Sequence, residues 1–290
     1  MKLAVQSEGY IKRYGIEKAL DKIKNVGYSC ISYCIEDNYN SKMVTDWSEE
    51  ELREYYGGLG EKIKSSGLEL ASVSVKTQMY SDWSKASFPM RKELYLKCVR
   101  ACAYLGCDQL VVPLVTYHSR VADSYSQSLA IAEEMLGVIL PEAEKAGVMI
   151  SVTNPCVTLD VYPFGCESVE LADFAKKHGV GVVLDPVNGQ MSGTDASELI
   201  RACGESFMGV FVRDYEEAFQ TPAIPMMGAV DYCGFIESLK DAPDKGVVVM
   251  MLTEVYHRFS DLGNQDGMYS AFDSFFYKMG KVISGGGMEK

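Results

Sequence analysis

The side chains best placed to do chemistry are carboxylates that close apolar runs. Val180 to Gly189 reads V-G-V-V-L-D-P-V-N-G, in which apolar and glycine residues run without alternation into Asp185 and a Pro/Asn/Gly turn. A second run, V-V-V-M-M-L, ends in Thr253 and Glu254, and a third, M-G-V-F-V, ends in Arg213 and Asp214. A carboxylate beside a buried strand is costly unless it is paired or used. Glu254 is therefore either a general base or cation ligand tuned by burial, or half of an ion pair with Arg258 or Arg213. Asp185 either holds a cation or a substrate hydroxyl, or caps the turn Pro186-Val187-Asn188. His257 lies within one turn of Glu254 and is either a ligand or acid/base partner, or a solvent-facing loop residue. His118, with Tyr117 and Arg120, forms an aromatic and basic loop suited to a phosphate or a sugar face, or is ordinary surface. His178 precedes Gly179 at a helix end, where a cation suits the dipole, and has no functional role.

The elements that must position these residues alternate in type. Leu3–Gln6, Ser29–Ile35, Leu68–Val75, Gln109–Pro113, Val148–Val152, Val180–Leu184, Met208–Val212 and Gly246–Leu252 read as short apolar strands. Unbroken apolar runs of this kind are strands buried on both faces, the mark of a parallel sheet covered by helices. Between them lie stretches of helical period, among them Tyr14–Val26, Trp47–Ser66, Phe88–Leu105, Val121–Ala146, Ser168–His178, Asp195–Cys203, Tyr232–Leu239 and Asp266–Val282. Pro141 is expected to kink the fourth of these or to start its last segment. Repeated right-handed βαβ crossovers of this number close into an α/β (β/α)8 TIM barrel. No Gly-rich phosphate fingerprint follows the first strand, and no linker divides the chain. Residues 1–284 are expected to form a single TIM-barrel domain, with 285–290 a flexible tail.

In such a barrel the C-terminal strand ends converge on one mouth. Gln6 and Glu8, Glu36, Lys76, Tyr117 and His118, Thr153 and Asn154, Asp185 and Asn188, Arg213 and Asp214, then Glu254 and His257 stand at those ends. The set expected to touch substrate is Arg213, Asn154, Asn188, Thr153, His118 and Glu36, with Glu254, Asp185 and His257 catalytic.

Composition narrows the partners. A formal charge of −12 argues against phosphate-backbone binding, which needs clustered Lys and Arg. No run approaches the roughly 20 apolar residues that span a bilayer, and the N-terminus turns polar too soon for a secretory segment. Nine scattered cysteines, with no C-x-x-C pair, read as reduced and mostly buried thiols. The expectation is a cytoplasmic protein with a small-molecule substrate, no nucleic-acid or membrane partner.

Five stretches resemble the sugar phosphate isomerase/epimerase family of the xylose isomerase-like TIM-barrel superfamily, which also contains the metal-dependent abasic-site endonucleases. They are G-V-M-I-S-V-T-N-P, V-G-V-V-L-D-P-V-N-G, M-G-V-F-V-R-D-Y, P-M-M-G-A-V-D-Y and V-V-V-M-M-L-T-E. The resemblance implies one divalent cation (Mn, Mg, Co or Zn) held by a Glu, an Asp, a His and a Glu after the fifth to eighth strands, with the two Glu residues exchanging the proton of an enediolate. Here Asp185 and Glu254 stand where the family has Asp and Glu, but Thr153 replaces the first Glu and Phe211 the His. Asn188 occupies a place where many relatives have His. A cation site with two carboxylates alone is expected to be weak or absent.

Two functions follow. One is a sugar isomerase, epimerase or lyase acting on a small carbohydrate or polyol by proton transfer. The other is a non-catalytic barrel that binds a carbohydrate or serves as a subunit beside an active partner. Nuclease activity is disfavoured by the charge and by having only three histidines for a multi-metal cluster. A homodimer is expected by analogy with the family.

Overall fold

The computed structural model describes residues 1–37, 44–77, 88–113, 124–155, 164–194, 196–216, 221–240, 242–244, 246–252 and 265–285. Eight parallel strands close into a barrel: β1 (Lys2–Gln6), β2 (Cys30–Asp37), β3 (Glu69–Thr77), β4 (Gln109–Pro113), β5 (Met149–Thr153), β6 (Gly181–Leu184), β7 (Phe207–Val212) and β10 (Val247–Met250). Closure is made where β10 pairs with β1, Val247 opposite Lys2 through Met250 opposite Val5. β8 (Asp214–Glu216) and β9 (Thr221–Ala223) form a small antiparallel ribbon directly after β7, which the apolar pattern does not announce because its strands are three residues each.

The helices are α1 (Glu8–Tyr14), α2 (Ile16–Val26), α3 (Glu49–Ser66), α4 (Phe88–Tyr104), α5 (Ser124–Ala146), α6 (Ser168–His178), α7 (Pro186–Ser192), α8 (Ala196–Cys203), α9 (Tyr232–Leu239) and α10 (Gln265–Ile283). Three differ from the sequence expectation. The helix expected over 14–26 is preceded by a separate one, because Gly15 adopts φ 72°, ψ 161°, outside the helical region. The segment after Asp185 is a helix, not a turn, since Pro at its first position needs no hydrogen-bond partner there and Asp185 caps it. α5 runs unbroken through Pro141, which lies on its exposed side. The C-terminal residues 286–290 lie outside the described residues.

Packing sorts the strand residues by parity. Odd and even positions point to opposite walls, so Ile31, Ile35, Val73, Leu110, Val112, Val182 and Leu184 join the helices in the large outer core. A smaller inner cluster of Ala4, Cys30, Ala71, Val111, Val183, Phe211, Val247 and Val249 fills the barrel itself. Above and among these, polar pairs line the interior, with Ser32 2.9 Å from Ser72 and Gln109 Nε2 donating to Ser151 at 3.2 Å. Among the described residues no helix is long and apolar enough to cross a membrane.

Candidate active site

β5, β6 and β7 deliver the best-defined part of the mouth. At the end of β6, Asp185 Oδ1 accepts from the backbone N–H of Val187 at 3.1 Å and of Asn188 at 3.3 Å, satisfying the open first turn of α7. Its other oxygen, Oδ2, takes the Arg213 guanidinium, with Nε at 2.7 Å and a second nitrogen also at 2.7 Å. The same guanidinium donates to Asn188 Oδ1 at 2.9 Å. Asn188 sits one helical turn into α7 and so points back over the strand end; its Nδ2 donates to the Asn154 carbonyl at 2.9 Å.

Asn154 extends the sheet by one rung. Its Oδ1 accepts from the Asp185 N–H at 2.7 Å and its Nδ2 donates to the Asp185 carbonyl at 3.0 Å, so a side-chain amide pairs β5 to β6 beyond Thr153. Asn154 is 2% exposed and Asp185 5%, whereas the Arg213 side chain keeps 24% of its surface in contact with solvent. From the far side the Tyr232 hydroxyl, on the first residue of α9, donates to the Arg213 carbonyl at 2.7 Å. Burial, and then the charges of Asp214 and Asp185, hold the Tyr232 pKa well above the ordinary phenol value, so it remains a donor.

Asp214 builds the rim beside this cluster. Its carboxylate accepts from the N–H groups of Tyr215 at 2.8 Å, Gly228 at 2.9 Å and Val230 at 3.1 Å, tying the β8–β9 ribbon to the following loop. Gly228 is required there: a Cβ would stand 2.3 Å from Asp214 Oδ1 and 2.4 Å from the Tyr215 carbonyl. Next to it Met226 holds φ 70°, a left-handed conformation rare for a non-glycine residue, and Met226 and Met227 are 42% and 73% exposed.

Of the residues singled out in the sequence, the structure brings together Asp185, Asn188, Arg213 and Asn154. Thr153 ends β5 opposite Val183 and is half-buried. Glu36 lies in β2 paired with Lys76. Glu254, His257 and His118 lie outside the described residues. The sequence gives no functional role to Tyr232, and for Asp214 only a place at a strand end; the Asp231 cap of α9, through Cys233 and Gly234, is the local signal that sets Tyr232 at the helix start.

The described residues do not fit the family's divalent cation. Thr153 offers one neutral oxygen, and Phe211 packs in the inner core at 7% exposure. Asp185 already has both oxygens engaged, and a dication on Oδ2 would face the guanidinium across a few ångströms, a repulsion on the order of several kcal/mol even with strong screening. Among the described residues no group of three His, Cys, Asp or Glu side chains is arranged to hold a metal ion. Among the described residues the charge facing Asp185 is the Arg213 guanidinium.

Comparison with known proteins agrees with the architecture. The family model for the xylose isomerase-like TIM barrel matches residues 20–267. No curated protein matches the chain. Among solved structures, D-psicose 3-epimerase in the presence of D-fructose superposes with a TM-score of 0.73 at 15% identity, covering 99% of this chain and 100% of that one. D-psicose 3-epimerase from Clostridium cellulolyticum H10 with D-tagatose gives 0.73 at 15%, covering 98% and 99%. The 3-keto-D-glucoside 4-epimerase from E. coli gives 0.68 at 15%, covering 96% and 98%. At such identity the shared property is the fold.

Proposed function

The chain belongs to the xylose isomerase-like TIM-barrel family, and from that premise we propose that it is a sugar isomerase/epimerase-like protein acting on a small keto-sugar or polyol by proton transfer at the barrel mouth. The observation that carries this reading is the Asp185–Arg213–Asn188 cluster at the carboxyl ends of β6 and β7, where barrels of this type place their chemistry. Epimerases among the similar structures act on small ketoses, which is the substrate class the reading adopts.

In this reading the Arg213 guanidinium, oriented by Asp185 and Asn188, polarises the substrate carbonyl. Glu254 removes the proton from the adjacent carbon; the C–H electrons pass into the new C=C bond and the carbonyl π pair onto oxygen, giving an enediolate stabilised by Arg213. Return of the proton to the neighbouring carbon isomerises the sugar, and return to the opposite face of the same carbon epimerises it. With Thr153 in place of a second carboxylate, opposite-face return has no second base to supply its proton, so the one-base transfer to the neighbouring carbon is the route these residues favour, with His257 the nearest sequence candidate for moving protons between the oxygens.

The test is solvent exchange. The protein is incubated in D2O with a panel of ketohexoses, ketopentoses and their phosphates, with chelator and separately with Mn²⁺, and deuterium next to the carbonyl is read by NMR. Incorporation that is lost in Glu254→Gln supports the reading; none with any sugar under either condition overturns it. Thr153 and Phe211 favour a second reading, a carbohydrate-binding barrel without catalysis. It predicts saturable sugar binding to an exchange-inactive protein, abolished by Arg213→Gln.

A further inference from the structure

A cavity of about 580 Å³ lies on the outer side of β2, between α1, α2 and α3. It is separated from the barrel interior by the strand itself: Tyr33 lines it and packs on the outer core, whereas Cys30 on the same strand belongs to the inner cluster. Its volume lies within the range of small-molecule sites.

The lining is largely apolar, with Ile11, Ile16 and Leu59 among it, and carries an aromatic and acidic side. Tyr33, Trp47 and Tyr55 bring aromatic surface, and Glu51 and Glu54 add two carboxylates. The rings are held in a mutually supporting array, with Trp47 edge-on to Tyr55 at 4.7 Å and Tyr55 perpendicular to Tyr56 at 5.0 Å. Lys62 also lines the cavity, but its ammonium lies 3.4 Å from Glu17 and is offset by it. Aromatic faces carry negative quadrupole, so rings and carboxylates favour the same kind of guest.

Gly58 supplies an independent observation. It sits inside α3, where glycine is unfavourable relative to alanine. Gly60 in the same helix has a packing reason, since a Cβ there would stand 2.6 Å from the Leu105 carbonyl. A Cβ at Gly58 would meet nothing within 4 Å, and Gly58 lines the cavity. Gly57 beside it is equally uncrowded but does not line the cavity, so what sets Gly58 apart is that a side chain there would stand at the cavity wall.

We propose that this cavity is a binding site for a small organic cation with an apolar body, of the quaternary-ammonium or alkylamine class, held over Trp47 and Tyr55 and neutralised by Glu54 and Glu51. The site is separate from the sugar chemistry of the mouth and does not rest on it.

Choline is the probe, and 3,3-dimethyl-1-butanol its neutral isostere. The chain has two tryptophans, so Trp83→Phe leaves Trp47 as the reporter, and saturation-transfer NMR of the choline methyl groups gives a second readout. The expected result is saturable quenching by choline at least roughly fivefold tighter than by the isostere, the advantage of a cation over partly exposed rings beside carboxylates. Gly58→Leu should abolish binding while the protein melts no lower than wild type, and Tyr55→Ala, at a half-exposed position, and Glu54→Gln should each weaken it several-fold. Equal binding of the two probes overturns the cation assignment. Absence of binding in both readouts at millimolar choline, or binding unchanged in Gly58→Leu and Tyr55→Ala, overturns the site.

Discussion

Arg213 is the residue on which the mouth turns. Its guanidinium neutralises Asp185 and orders Asn188, so Arg213→Gln leaves a carboxylate at 7% side-chain exposure without its cation. We expect a loss of about 2 kcal/mol in denaturant unfolding, below the range for fully buried pairs because the arginine is partly solvated. Arg213→Lys restores the charge but not the two-pronged contact, and is expected to recover stability better than activity. His178 offers a different residue-scale test. Burial first, and then Lys177, hold its pKa below the ordinary 6.5 against the opposing pull of Glu133. The folded protein therefore takes up that proton less readily than the unfolded chain, and stability falls as pH drops below 6.5 toward the folded value. In His178→Gln the fall between about pH 7 and pH 5.5 should be shallower. An unchanged slope would show that other groups carry it.

At the scale of elements, α3 is specified by its ends and tuned by its glycines. Ser48 accepts from the Glu51 N–H at 3.2 Å while Glu51 accepts from the Ser48 N–H at 2.8 Å, a reciprocal cap. Ser48→Ala should cost about 1 kcal/mol. Gly58→Ala should stabilise by about 0.5–1 kcal/mol, whereas Gly60→Ala, whose Cβ meets the Leu105 backbone, should destabilise. Opposite signs two residues apart in one helix, read by thermal melting, would separate a spacing role from a packing role. The rim loop obeys the same logic. Gly228→Ala must displace either Asp214 or the Tyr215 carbonyl, and the sugar readout at the mouth should fall with it.

At the scale of the whole molecule, the barrel is held by two concentric apolar regions. Of the eight described cysteines only Cys233 is exposed. Burial pushes the Cys203 thiol up to about 12, so it is inert as well as hidden. Brief alkylation of the native protein followed by peptide mapping should mark Cys233 among these eight, and the others only after unfolding. Phe211 closes the inner cluster against Val183 and Val249. Phe211→Ala should cost roughly 3–4 kcal/mol, read by denaturant unfolding, as expected of a residue of the inner core.

The barrel order and the placing of Asp185, Asn188 and Arg213 at strand ends were legible in the sequence, because a fully buried parallel strand leaves an unbroken apolar run and its polar end marks the rim. The helix after Asp185, the β8–β9 ribbon and the split at Gly15 were not, since each depends on a few residues whose local preferences are ambiguous. What only the tertiary structure decided is the partner of each charge. Arg213 stands 28 residues from Asp185, and Coulomb attraction in a half-buried site depends on distance and solvation, which no spacing rule supplies. The same holds for the aromatic cavity: Tyr33, Trp47 and Gly58 acquire a common function only once β2 and α3 are packed together.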